Sequence, residues 1–175
     1  MKFGNTESFV LDAIIEPGPE YPPTFGSNIA GRARLVFGDH VVGDFEEPCC
    51  VLGPLSEHLV ELCSNANSLW HESLEGRTPS DQFKLLNNAL FVDEEPETPN
   101  AYNHLIFLTN VSEIFDGVKG FLLGPPGEPL RALLCIGESE EVHCHLIPRG
   151  DFCSVSAQFA LWVKEQEYEL LQHEA

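Results

Sequence analysis

"IAGRARLVFGDHVVGDF", residues 29–45, holds two apolar runs around a turn. Ala33, Leu35 and Phe37 alternate with Arg32, Arg34 and Val36. A period of two puts the first set on one face of a strand and the second on the other. "GDH" (38–40) supplies turn residues, and "HVVGDF" returns. The stretch predicts a hairpin, hence an antiparallel pair that needs no crossover helix.

Working outward, "SFVLDAIIE" (8–16) mixes β-branched and apolar residues and reads as another strand. "PGPEYPP" (17–23) breaks it with four prolines and a glycine. Downstream the period changes. Leu55, Leu59, Val60, Leu62 and Cys63, with Leu69 and Trp70 beyond, fall at helical spacing, and Pro54 suits a first turn. "RTPSDQFKLLNNALF" (77–91) opens a second helix. Thr78 is its expected cap, Pro79 its first residue, and Asp81 lies near the positive end of the dipole. Phe83, Leu85, Leu86, Ala89 and Leu90 form its expected buried face.

An acidic, proline-containing link, "VDEEPETPNAYN" (92–103), reads as a surface loop. Strand candidates follow: "HLIFLTNV" (104–111), two in "KGFLLGPPGEPLRALLCIG" (119–137) around a "GPPGE" turn, and "EVHCHLIP" (141–148). "RGD" (149–151) reads as a turn. A last helix is expected over "DFCSVSAQFALWVKEQEYELLQ" (151–172), capped by Asp151 or Ser154, with Phe152, Val155, Phe159, Trp162 and Val163 recurring at three- and four-residue steps. The order is strands, two helices, strands, one helix. It predicts an α+β domain spanning 1–175, with a mostly antiparallel sheet, two central helices and a C-terminal helix packed against it.

Composition narrows the function. Acidic residues outnumber basic ones 28 to 9, for a net charge of −19. That field repels a phosphate backbone and an anionic membrane surface, so neither nucleic acid nor membrane is expected as a partner. A basic protein would be attracted. The start carries acids early and no long apolar run, which argues against a signal peptide or span and for the cytoplasm. The six cysteines, at 49, 50, 63, 135, 144 and 153, form no C-x-x-C and sit among apolar neighbours. In a reducing compartment they read as small buried hydrophobes.

Candidate chemistry is thin. On a strand, His143 and His145 share one face while Cys144 points to the other, expected to be the apolar side. Zinc wants a third protein ligand and usually a fourth, and no H-E-x-x-H or C-x-x-C supplies them. Exposed neutral histidines are the simpler reading. Cys49, Cys50, His58 and His71 carry the residue types of a thiol nucleophile and base, but "PCCVLGP" has no nucleophile signature. No phosphate-binding glycine motif occurs. No metal and no cofactor is called for. What stands out is acid in blocks: "GDFEEP" (43–48), "DEEPE" (93–97), "ESEE" (138–141) and "EQEYE" (165–169). Solvated surface explains any one block. Four blocks with almost no lysine between them suggest steering of a partner.

"FGNTESFVLDAIIEP", "GRARLVFGDHVVGDF" and "SEIFDGVKGFLLGPPGEPLRALL" together resemble the immunity protein 42 family. The resemblance rests on Phe3, Gly4, Phe9, Gly31, Gly43, Asp44, Phe115, Asp116, Leu122, Leu123 and Arg131, and the middle of the chain departs from it. It implies a cytoplasmic inhibitor that performs no chemistry and neutralises one toxin domain of a polymorphic or contact-dependent secretion system. Acidity suits a toxin with a basic, nuclease-like cleft, because carboxylates can stand where phosphates would. The family motif residues Gly43, Asp44, Phe115 and Asp116 read as turn formers and packing. The expected toxin-binding residues come instead from the acid blocks and nearby aromatics: Asp44, Phe45, Glu46, Glu47, Asp93, Glu94, Glu95, Glu97 and Tyr102, with Phe91 as a further apolar anchor. The alternatives are a small hydrolase using a metal at His143 and His145 or a Cys/His pair, and an acidic adaptor or chaperone of a secreted effector.

Overall fold

The structure is a computed structural model. It describes residues 1–5, 7–16, 29–43, 45–46, 50–92 and 101–173, without the side chains of 113 and 170–173. The hairpin forms as its pattern dictates. β3 (Ala30–Phe37) buries every second residue, Ala33, Leu35 and Phe37 among them. Gly38 takes a positive φ of 58° at the first turn position, which primed hairpin turns demand, and Phe37 pairs with His40 across the turn. β4 (His40–Val42) is short. On its other side β3 meets β2 (Phe9–Ile15), with Leu11 opposite Leu35 and Asp12 opposite Arg34. Asp12 is buried, and Arg34 answers it at 3.0 Å.

Two strands escaped the sequence reading. β1 (Lys2–Asn5) pairs antiparallel with β2 but buries only Phe3, too little for an alternation to show. β5 (Cys50–Val51) is two residues long and pairs with the start of β3.

α1 (Leu52–Ser64) buries Leu52, Leu55, Leu59 and Leu62. Val60 was expected on that face and is 38% exposed, being one position off the stripe. α2 (Pro79–Phe91) starts as its signals require: Thr78 Oγ1 accepts from the Asp81 amide at 3.2 Å, and Pro79 opens the first turn. Phe83 and Leu86 are buried, while Leu85, Ala89 and Leu90 are half-buried.

Where one sheet was expected, the strands form two. β6 (Val118–Leu123), β7 (Leu130–Ile136) and β8 (His143–Ile147) make a second antiparallel sheet. The strand expected over 104–111 is absent. Residues Asn103–Leu105 form a 3-10 turn, and a single bridge joins Ile106 to Phe121. Phe107, Leu108 and Thr109 are buried in succession, which an alternating strand forbids. The Phe107 and Leu108 amides both donate to the Gly120 carbonyl, and the Gly120 amide donates to Thr109 Oγ1.

α3 (Arg149–His173) begins two residues earlier than read, so "RGD" is helix rather than turn. Arg149 donates to the carbonyls of Glu128 (2.9 Å), Pro125 (2.7 Å) and Ala66. Asp151 accepts from Ser8 Oγ. α3 packs on α1, β1 and β2. Phe152 meets Phe9 and Phe107, and Phe9 meets Phe37, so one aromatic chain runs from α3 through the first sheet to the segment at Phe107. Cys63 and Cys153, read above as lone small hydrophobes, form a disulfide with Cα atoms 5.2 Å apart. They lie 90 residues apart, and only the packing of α1 on α3 brings them together, so no local motif announces the bond.

Candidate functional site

Between α2 and the second sheet lies a cavity of about 560 Å³. Phe83 of α2, Phe115, Val118 and Val142 give it an apolar floor. Lys84, Asn87 and Lys119 stand on one wall, with Asp116, Glu138 and Glu140 among the other lining groups. The lysines are not idle. Lys119 donates to Asn87 Oδ1 at 2.8 Å and its ammonium lies 5.8 Å from the Phe91 ring centre. An apolar floor under charged walls can seat an extended, polar-tipped side chain of a partner.

One acid block lines the cavity, and described sequence neighbours of two others lie at the end of α2 and against Phe115. "ESEE" contributes Glu138 and Glu140 directly. "GDFEE" approaches through Gly43, whose α-carbon backs onto the Phe115 ring: a Cβ there would lie 3.2 Å from Phe115 Cε1. α2 leads into the third block through Phe91 and Val92, which are 37% and 58% exposed. The sequence reading marked Glu138 and Glu140 only as part of the "ESEE" block and did not single out Lys84 or Lys119. The usable signal was the "ESEE" block itself.

The expected toxin-binding residues fall into two groups. Asp44, Glu47, Asp93, Glu94, Glu95 and Glu97 lie outside the described residues. Phe45, Glu46 and Tyr102 are described. Phe45 is half-buried, with the Arg34 guanidinium 4.5 Å above its ring and Arg32 donating to its carbonyl. Glu46 is exposed. Tyr102 is half-buried; its hydroxyl shares a hydrogen bond with Ser73 Oγ at 2.9 Å and its ring meets His71 edge-on. Phe45 and Tyr102 therefore brace their own loops. Most of the described family-motif residues are architectural, whereas Asp116 is exposed in the cavity lining and Asp44 lies outside the described residues. Phe3 packs on Phe159 and Trp162, Gly4 holds φ 101° against the Phe9 carbonyl, and Gly31 lies under Leu52. Leu122 and Leu123 are buried, and Arg131 pairs with Glu128.

The histidines and cysteines are arranged differently from expectation. His143 and His145 are half-buried and Cys144 is exposed, the reverse of the sequence reading. The cause is the neighbouring first sheet: His145 stacks on Phe37, and His40 lies against both rings. The apolar side of β8 is thus the side with the imidazoles. Burial lowers the pKa of His145, helped by His40 and His143. Burial also raises the Cys144 thiol, against the pull of Arg131, which leaves it a poor nucleophile at neutral pH. His58 Nε2 bonds the Phe107 carbonyl at 2.9 Å, and burial outweighs that bond to lower its pKa. His71 Nδ1 accepts from the Ser73 amide. Cys50 is buried, and Cys49 lies outside the described residues. Among the described residues no group of three or more His, Cys, Asp or Glu is placed to hold a metal ion, and no helix is long and apolar enough to cross a membrane.

The comparisons point one way. Among solved structures the fold is similar to that of CdiI from Burkholderia dolosa AUO158, with a TM-score of 0.66 over 90% of this chain and 97% of that one. The identity is 21%, so this likeness shows the fold alone. No curated protein matches. A family model described as Immunity protein 42 matches residues 1–162. A match across nearly the whole length places the chain in that family: it belongs to the immunity protein 42 family.

Proposed function

We propose that this protein binds and neutralises a cognate toxin domain of a polymorphic or contact-dependent system, acting as an inhibitor and not as an enzyme. The observation that carries this is family membership over residues 1–162. The likeness in fold to CdiI agrees with it. The contact residues are the cavity acids Asp116, Glu138 and Glu140, together with the acid blocks read from the sequence: "GDFEE" with Asp44, Phe45, Glu46 and Glu47, and "DEEPE" with Asp93, Glu94, Glu95 and Glu97. Tyr102 and Phe91 add rigid apolar area. The partner is basic, plausibly a nuclease, because a net charge of −19 favours a cation-rich surface and opposes nucleic acid. The protein acts in the cytoplasm, where such a toxin would arrive.

The test is rescue. Co-expression with the toxin encoded beside it is expected to restore growth, and the two proteins are expected to co-purify. Failure of the intact protein to rescue refutes the function. Reversing Glu94, Glu95 and Glu97 together, or Glu138 and Glu140 together, is expected to slow association and flatten its salt dependence. An unchanged on-rate in both variants moves the interface elsewhere.

A further inference from the structure

Two edge strands meet away from the cavity. β4 ends the path of the first sheet and β8 that of the second. His40 opens β4, while His143 and His145 share a face of β8. The His40 ring centre lies 4.1 Å from that of His143 and 4.9 Å from that of His145. His145 also stacks on Phe37 at 5.4 Å, and its Nε2 is buried without a hydrogen-bond partner. Past Val42, β4 runs into Gly43 and the "GDFEE" block.

We propose that His40, His143 and His145 form a pH-sensitive clasp between the two sheets, which holds β4 and the turn at Gly43 in place and loosens when His145 takes up a proton. The regulatory consequence rests on the interface proposed above; the clasp itself does not.

Neutral imidazoles stack on one another and on a phenylalanine without electrostatic cost. Protonation changes both terms. A proton on His145 Nε2 makes a buried N–H donor with no acceptor, and its charge sits beside two more titratable rings. The groups facing His145 offer no compensation. From β4 comes His40, from β8 His143, and from β3 the uncharged Phe37 ring. On β7 the residues paired with His145 and His143 are Ala132 and Leu134. Burial and the two neighbouring imidazoles all lower the pKa of His145, and among the described residues no carboxylate is a cause of that shift. The folded protein therefore holds fewer protons than the unfolded chain between the lowered value and the ordinary 6.5. Stability is full above about pH 6.5 and is lost as pH falls through the folded value.

The experiment is urea unfolding of the full chain from pH 8 to pH 5, for the wild type and for His40→Gln. The wild-type midpoint is expected to fall below about pH 6.5. His40→Gln is expected to lose less of its midpoint over the same range, with the remaining slope set by His145 burial and by His58. Parallel profiles overturn the clasp. Should His40→Gln fail to fold, imidazole NMR of the wild type decides. His145 is expected to titrate below a free histidine, with the amides of Val41 and Val42 in β4 and of Gly43 after it moving at the same midpoint. An ordinary or raised midpoint, or silent β4 amides, overturns the proposal. Binding of about one Zn²⁺ per chain that is lost in His40→Gln also overturns it, in favour of a metal site. Once a partner is in hand, its dissociation rate is expected to rise several-fold at pH 5.5 in the wild type and less in His40→Gln. Equal changes in both refute the regulatory half. None of the readouts on the isolated chain depends on the toxin, so a failed rescue and a failed clasp are separable.

Discussion

Gly43→Ala tests the link between the hairpin and the cavity. Gly43 has φ 86°, in the left-handed region where a Cβ costs about 1–2 kcal/mol. The added carbon would also lie 2.7 Å from the Ala33 carbonyl oxygen and 3.2 Å from Phe115 Cε1. The first neighbour is backbone of a paired strand and the second a ring that is 2% exposed, so neither yields cheaply. Overpacking of this kind costs about 1–3 kcal/mol. Stiffening the unfolded chain returns roughly 0.4–1 kcal/mol. The net loss is about 3 kcal/mol. For a chain of this length that is roughly 6–12 °C in Tm. Gly38→Ala is the control. It has φ 58° but nothing within 4 Å of the added carbon, so it keeps the backbone strain without the clash, for a loss of about 1 kcal/mol or less. Urea denaturation of both variants, with calorimetry alongside, gives the difference directly. If Gly43→Ala is no worse than Gly38→Ala, the packing of Gly43 on Phe115 is not what holds this corner. A second readout is toxin affinity: a shifted Phe115 reshapes the cavity floor, so binding is expected to weaken more in Gly43→Ala than in Gly38→Ala.

Replacing Cys63 and Cys153 together by alanine is expected to lower stability by about 3–4 kcal/mol, because the bond closes a loop across 90 residues. Urea midpoints with and without a reductant check it: the wild type is expected to respond to the reductant and the double variant to ignore it. Arg149→Lys keeps the charge but cannot span three carbonyls from one planar head. The orphaned acceptors at Ala66 and Pro125 are expected to cost about 1–3 kcal/mol, read as a fall in Tm with faster amide exchange at Gly124, Gly127 and Glu128.

The hairpin at 29–45 was legible because one face of it is buried and the alternation is strict. α2 was legible because Thr78, Pro79 and Asp81 state its beginning in chemistry. What escaped has a common cause. β1 and β5 are strands by pairing, not by pattern: each buries a single residue, Phe3 or Cys50. The segment around Phe107 looked like a strand because it is apolar, yet it buries consecutive residues and gives its amides to Gly120. Cys144 was put on the wrong side because "apolar face" was judged from β8 alone, while Phe37 of the other sheet makes the histidine face the inner one. The same gap hid His40 from His143 and Cys63 from Cys153. Residue type and spacing foretell what happens within an element. Contacts across a hundred residues require the assembled fold. For the candidate site, the acid blocks were visible as composition, but the cavity that gathers Glu138 and Glu140 beside α2 was not.

The docking of α3 on β1 and β2 has a consequence for timing. Phe152 covers Phe9, and Phe159 with Trp162 covers Phe3, so residues translated much later shield the strands β1 and β2. A nascent chain halted before Phe152 carries a bare aromatic face and is a substrate for chaperones and proteases. Full binding strength is therefore expected only once α3 has been made past Trp162.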